Sequence, residues 1–475
     1  MNSWVGQRLS KPIVVPWNQS WAGGDLSGSI PAQRRINRCR LPPSGIQDPM
    51  TSRDCWTLKN QMALGLVLTF LSLVLAPVCR ASAEAIQETL NTVTDQVWAN
   101  KTPGIQVGLW VPGQGEWEIA KGLSDLKRNK PMKVGMQQPI GSITKTMTGT
   151  LILQLVEEGK LSLDDPLSKW YSEAPQGDQI TIAMLLNMTS GIARYNEGFL
   201  ADRIYEILRA SPHTVFQHEL LAAHGLSLPR VFDNPGRQGD YSSTNTLLLG
   251  EIAEKVTGQR YPQLLRERLF KPLGMTRSFL PQRGGLRPPF CRVYETDEDS
   301  GQAIDATPWS TSWSWAAGGL ASTLEDARRW GIALGTGHRV LSPDMQALRS
   351  TVCGPDIAPI HSKTSNQYCL GVLVTKDRTT GEIFSYHHSG SVFGAEAQLA
   401  YYPRTRAVLV VMTNGRSSSE PSLATRVANR ITEALPSLFG AEQTLGLSAP
   451  DPSPTRNLSG SGQPRGHRFA NAPTP

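Results

Sequence analysis

Ile143, Met147, Leu151 and Leu155 recur every four residues between Ser142 and Glu158. That spacing lays one apolar stripe along a helix, and Gly159 ends it. Toward the C-terminus the pattern changes to short apolar runs. Leu370–Thr375, Ile383–His387, Ala397–Tyr402 and Ala407–Thr413 read as consecutive strands. Upstream, Ile105–Trp110 and Glu116–Ala120 read as two more, joined by the Pro112-Gly113 turn. Glu84–Asn100 and Pro421–Leu438 read as helices at either end. Residues 160–340 are mostly helix and loop, with Gly/Pro punctuation at 235–236, 272–274 and 284–289. The two ends thus predict one antiparallel sheet flanked by helices, an α/β protein of the α+β type. The middle predicts a mostly helical domain. A site is expected in the cleft between the two parts.

The outer segments break this pattern. Residues 62–79, MALGLVLTFLSLVLAPVC, form an apolar run behind Arg53 and Lys59 and ahead of Ala81-Ser82-Ala83. Basic flank, apolar stretch and small-x-small site predict a secretory signal cut after Ala83. A single membrane anchor is the alternative, disfavoured because Pro77 breaks the run. Residues 1–61 ahead of it read as a disordered extension or a mis-assigned start, with Met50 or Met62 as the true initiator. From Gly446 the chain is rich in Pro, Ser and Gly and predicts a disordered tail. Residues 84–440 remain as the folded domain, exported to the periplasm or beyond the cell.

The chain has 475 residues and a net charge of +7. The basic excess lies in the outer segments, so the folded body is nearly neutral and carries no electrostatic footprint for nucleic acid. A membrane is a partner only if the signal stays uncleaved. Of the 6 cysteines, only Cys291, Cys353 and Cys369 lie beyond the cleavage point. Cys353 and Cys369 could pair after export, and none has metal-site spacing.

Ser142-Ile143-Thr144-Lys145 opens the strong helix. Positions i and i+3 share a helix face, so the Lys amine can reach the Ser hydroxyl. An amine kept neutral by its surroundings can activate a serine. The helix N-terminus offers N–H groups to a developing oxyanion. The pattern alone is weak: Ser124-Asp125-Leu126-Lys127 also fits it, on what reads as a solvated turn. Tyr241 stands ahead of a helix expected over Thr246–Val256, and a tyrosine there can relay protons. Ser243 and Asn245 follow it as candidate substrate contacts. His388-Ser389-Gly390-Ser391 closes a predicted strand. Gly390 would let substrate lie along the strand, Ser391 N–H would be a second oxyanion donor, and His388 would bind a carboxylate or pass protons.

Other clusters fare worse. His218-Glu219 and His224 lack the spacing of a zinc helix. Asp164-Asp165 sits in a solvated turn. Trp309, Trp313 and Trp315 read as packing residues.

The order and spacing of the three elements are the stronger signal. Here the chain resembles the class C β-lactamase and D-alanyl-D-alanine carboxypeptidase family of penicillin-recognising serine hydrolases. Pro139–Lys145 (PIGSITK), Leu155–Leu167, Ile180–Ile192 (ITIAMLLNMTSGI), Pro272–Thr276 and Ala317–Asp326 are similar to that family's recurring segments. The resemblance spans about Glu84 to Leu438. It implies that Ser142 becomes acylated, that Lys145 and Tyr241 share the proton-transfer roles, and that Ser142 and Ser391 N–H groups form the oxyanion hole. It calls for no metal or cofactor, and for a peptide, β-lactam or ester as substrate. A carboxypeptidase is the leading expectation. A β-lactamase, a small-ester esterase or a penicillin-binding sensor without turnover are the alternatives. Two positions depart from the pattern: Ser243 stands where Asn is usual, and His388 where class C β-lactamases carry Lys, a His-x-Gly form that resembles carboxypeptidase and esterase-like members instead.

Overall fold

The computed structural model describes residues 83–99, 101–281, 285–297, 299–358, 361–416 and 422–439. The expectations for 1–61, 62–82 and 446–475 lie outside the described residues. Among those residues no helix is long and apolar enough to cross a membrane.

An eight-stranded antiparallel sheet is the frame. Its strands are β1 (Gly104–Val111), β2 (Gly115–Asp125), β3 (Lys130–Pro131), β4 (Thr364–Cys369), β5 (Val372–Asp377), β6 (Ile383–Val392), β7 (Ala395–Tyr402) and β8 (Ala407–Thr413). They lie in the order β3-β2-β1-β8-β7-β6-β5-β4. The first and last parts of the chain meet where β1 pairs with β8, Ile105 opposite Thr413. The two ends of the sequence therefore build one sheet, as the pattern predicts.

Strand β8, AVLVVMT, shows why the sheet holds. All its residues are buried. Val408, Val410 and Met412 point into a core shared with the helical part of the chain. Ala407, Leu409 and Val411 point into a second core. Helix α1 (residues 83–98) and helix α8 (Leu423–Ala434) supply Leu90, Val427 and Ile431 to that second core. Covering both faces turns the usual polar–apolar alternation into an unbroken apolar run. Each fully buried Val or Leu contributes about 1.5–3 kcal/mol.

Between the two halves run α2 (Thr144–Glu157), α3 (Gly198–Ala210), α4 (His218–Ser227), α5 (Ser243–Thr257), α6 (Trp315–Gly318) and α7 (Leu324–Thr336). Trp309, Trp313 and Trp315 pack into the main core. His218 stacks flat on Trp315, ring centroids 3.6 Å apart, and its Nδ1 meets the buried Glu251 carboxylate.

Several boundaries differ from expectation. The helix expected from Ser142 begins as a 3-10 turn, Gly141–Ile143, before α2 starts. Helix α5 starts at Ser243, three residues early. The C-terminal helix breaks at Leu435, because the residue before Pro436 is driven out of helical geometry. Strand β4 was not expected at all: its sequence TSNQYC is polar, as suits an edge strand. Leu370-Gly371 is the turn that joins it to β5, with Gly371 at φ +78°. A Cβ on Gly371 would stand 2.9 Å from the Gly149 Cα, so this hairpin rests directly on α2. Cys353 and Cys369 form a disulfide, and Cys291 is buried and free.

The second S-x-x-K copy is not solvated as expected. Ser124 is 3% exposed at the end of β2, and its hydroxyl donates to the Lys130 and Pro131 carbonyls across the β2–β3 pair. Leu126 and Lys127 face solvent.

Candidate active site

Ser142 is the only residue from Gly141 to Thr150 that is not buried. It sits in the 3-10 turn, and Lys145 follows on the first turn of α2. The Lys145 Nζ lies 3.1 Å from Ser142 Oγ and donates to the Ala317 carbonyl at 2.7 Å. Lys145 is 2% exposed. Burial holds its amine well below the ordinary lysine value, and the Arg194 charge pushes in the same direction. A neutral amine has a lone pair, and that lone pair can take the serine proton.

Strand β6 forms the opposite wall. Its pairing with β5 ends at His387, while its pairing with β7 continues to Val392. From His388 onward its free edge meets the Gly141–Ile143 turn. Two glycines permit this approach. A Cβ on Gly390 would stand 1.9 Å from the Ile140 carbonyl oxygen and 3.1 Å from Ser142 N. One on Gly141, at φ +53°, would stand 2.5 Å from Ser391 N. The backbone nitrogens of Ser142 and Ser391 are thus brought to the same place, as two oxyanion donors require. The Ser391 hydroxyl is buried beside them and makes no hydrogen bond within the described residues.

Tyr241 closes the third side. Its ring centroid is 4.9 Å from Lys145 Nζ, 6.1 Å from the His388 ring and 5.8 Å from the Tyr368 ring. Arg194 holds it from behind. The guanidinium Nε donates to the Tyr241 carbonyl, and its carbon lies 5.4 Å from the ring centroid.

His388 differs from expectation. It is fully buried. Its Nδ1 hydrogen-bonds the Ser389 carbonyl, which can only accept, so Nδ1 carries the proton. Its Nε2 then accepts from the Tyr368 hydroxyl at 3.0 Å. Burial pushes the imidazole down to about 3, and the hydrogen bond to the Ser389 carbonyl raises it only in part. The ring is neutral and both nitrogens are engaged. It is therefore not a cation waiting for a substrate carboxylate.

Asn245 is also corrected. It is completely buried in α5, with its Oδ1 accepting from Ser190 and its Nδ2 donating to the Leu185 carbonyl. Both ends of the amide serve the fold, so none is left for substrate. Ser243 is buried as the first residue of α5. The structure therefore gathers Ser142, Lys145, Tyr241, His388, Gly390 and Ser391, and leaves Asn245 in the core. It adds Tyr368, Arg194 and the Ala317 carbonyl, which sequence reasoning missed. Among the described residues no group of three or more His, Cys, Asp or Glu side chains is placed to hold a metal.

The family profile described as Beta-lactamase matches residues 90–432. The chain belongs to the β-lactamase family. Among its relatives is the human Serine beta-lactamase-like protein LACTB, mitochondrial, 24% identical over 56% of this chain and 59% of that protein. Another is the Beta-lactamase of Escherichia coli K12, 26% identical over 50% of this chain and 58% of that protein. The chain thus spans about three fifths of the length of these relatives. A D-stereospecific amidohydrolase from Streptomyces sp. superposes with a TM-score of 0.62 at 25% identity, covering 73% of this chain and 98% of that one. A penicillin binding protein from Bacillus halodurans superposes with a TM-score of 0.59 at 24% identity, covering 72% and 98%. The α/β fold is that of these β-lactamase-family serine hydrolases.

Proposed function

We propose that this protein is an exported serine hydrolase that forms an acyl-enzyme on Ser142 and cleaves small amides, including amides of D-amino acids. The observation that carries the reading is the 3.1 Å contact between Ser142 Oγ and the buried amine of Lys145. Ser142 Oγ attacks the substrate carbonyl carbon, and its proton passes to Lys145 Nζ, directly or through Tyr241. The oxyanion rests on the Ser142 and Ser391 N–H groups. The C–N bond then breaks, and the departing amine takes the proton from Lys145. Water attacks the resulting ester, returns a proton to Ser142 Oγ and releases a carboxylic acid.

The choice of amide over free peptide rests on His388. A cation near the edge strand would favour a C-terminal peptide carboxylate or the carboxylate of a penicillin, and the neutral His388 supplies none. That moves the reading from the carboxypeptidase expected from sequence toward acyl donors that carry no carboxylate. The likeness to a D-stereospecific amidohydrolase supports it. Export is supported by the signal-like sequence at 62–83, and the Cys353–Cys369 disulfide fits an oxidising compartment.

Purified protein would be offered D-alanine amide, D-alanyl-D-alanine, a fluorescent penicillin and p-nitrophenyl acetate, beside its Ser142→Ala partner. The reading expects Ser142-dependent turnover of the amide at least about tenfold above the free dipeptide, the worth of one charged contact. Faster turnover of the dipeptide would restore the carboxypeptidase. Stable penicillin labelling without turnover would indicate a sensor.

A further inference from the structure

Arg194 lies on the segment that follows the ITIAMLLNMTSGI stretch, and no sequence motif singles it out. The structure fixes it with unusual care. The Ala193 carbonyl accepts from the hydroxyls of Ser242 and Thr244, and the Tyr195 N–H donates to Thr244 Oγ1. The Tyr195 hydroxyl is anchored on the Trp313 carbonyl at 2.6 Å. The residues on either side of Arg194 are therefore tied to the start of α5, which directly follows Tyr241. The guanidinium then reaches the Tyr241 carbonyl and ring.

Charges in this cleft are scarce. Lys145 from α2, Tyr241 from the loop before α5, Tyr368 from β4, His388 from β6 and Tyr195 are the titratable groups around the phenol. His387 lies behind His388. Arg194 is the permanent cation among them. Glu197 binds its Nη1 at 2.6 Å and Asp240 stands 3.7 Å from its Nη2. Those two carboxylates hold the guanidinium in place, and both are more exposed than Arg194, so water screens them more strongly.

We infer that Arg194 is an electrostatic positioning residue for the nucleophile, disfavouring the protonated forms of both proton-accepting groups, Lys145 and Tyr241. A cation beside an amine disfavours its ammonium form, and beside a phenol it favours the phenolate. Both effects run the same way, so the inference does not depend on which group takes the Ser142 proton. The Coulombic push of Arg194 on Lys145 agrees with it. The inference rests on Ser142 being the nucleophile.

The test is the pH dependence of Ser142 labelling by an alkyl fluorophosphonate, in which Ser142 Oγ displaces fluoride. The full chain would be compared with Arg194→Gln, Arg194→Lys and Glu197→Gln between about pH 5 and 10. Arg194→Gln keeps a donor for the Tyr241 carbonyl and drops the charge. Its acid limb is expected to move up by about one pH unit, the lower end of a nearby charge's effect. Its rate deficit should then shrink as pH rises. Arg194→Lys should bring the limb back toward the parent, and Glu197→Gln should move it down. A deficit of the same size at every pH, or equal behaviour of the Gln and Lys variants, would overturn the inference and leave Arg194 a structural clasp. If Arg194→Gln fails to fold, an unmoved limb in Glu197→Gln overturns it equally. A parent that is not labelled on Ser142 would overturn the proposed function, and this inference with it.

Discussion

The chain holds two copies of Ser-x-x-Lys, and they meet opposite fates. Ser142 and Lys145 sit at a turn leading into α2, where the i, i+3 spacing becomes a 3.1 Å contact. Ser124 and Lys127 sit where β2 runs into a turn. There the same spacing points the serine inward, onto two backbone carbonyls, and the lysine out to water. Identical letters become a nucleophile and its base only where a helix aligns them, burial weakens the amine's hold on its proton and a second strand supplies an N–H. Chemistry here is a property of the surroundings more than of the motif.

The sharpest way to break this comparison is substitution within both copies. Ser142→Ala and Lys145→Ala should each lower amide hydrolysis by more than about 10³-fold, as loss of a nucleophile or its base does. Ser124→Ala should leave hydrolysis within about twofold. It should cost about 1 kcal/mol of stability for two lost hydrogen bonds in a β-pair, read by denaturant unfolding. A large activity loss in Ser124→Ala would mean that the second copy has a role this account denies it.

The strand wall offers the next test. Gly390→Ala places a methyl group on the Ile140 carbonyl, so β6 and the Ser142 turn must separate. The expected result is a loss of about 1–3 kcal/mol, as for overpacking, with a rate loss of 10²-fold or more as one oxyanion donor is displaced. Gly113→Ala is the comparison: its φ is +79° but nothing lies within 4 Å of the new Cβ. It should lose about 1 kcal/mol through backbone strain alone, with its rate unchanged.

Smaller, but diagnostic, is the pH dependence of stability set by Lys145. Its folded value lies well below 10.5, its ordinary value. Between the two, the unfolded state binds a proton that the folded state does not, so stability rises with pH across that window. Lys145→Met should raise stability at neutral pH and flatten that rise in urea melts. Lys127→Met, an exposed change, should stay within about 0.5 kcal/mol. A Lys145→Met melt less stable than the parent at pH 7 would mean that the buried amine is held as a paired cation.

Much of this was legible in the sequence. The sequence marks the Ala407–Thr413 strand with its observed limits, because both its faces are buried and its apolar run is unbroken. Ser142 and Lys145 were legible because helical spacing is local. What escaped depends on distant partners. Strand β4 is polar and at the sheet edge, so nothing in TSNQYC marks it. Tyr368 lies on that strand and becomes visible only once its hydroxyl reaches His388. Asn245 looked available until the fold placed Ser190 and the Leu185 carbonyl around it. Arg194 carried no signal beyond its place just after a segment already singled out. His388 reads in the sequence as a carboxylate-binding or proton-passing residue, because burial cannot be read from a residue's own neighbours in sequence.

The most direct measurement of the central claim is peptide mapping by mass spectrometry after treatment with an alkyl fluorophosphonate. The account predicts a single adduct, on the peptide containing Ser142, retained in Ser124→Ala and absent in both Ser142→Ala and Lys145→Ala. An adduct on any other serine, or labelling that survives in Ser142→Ala, would contradict it.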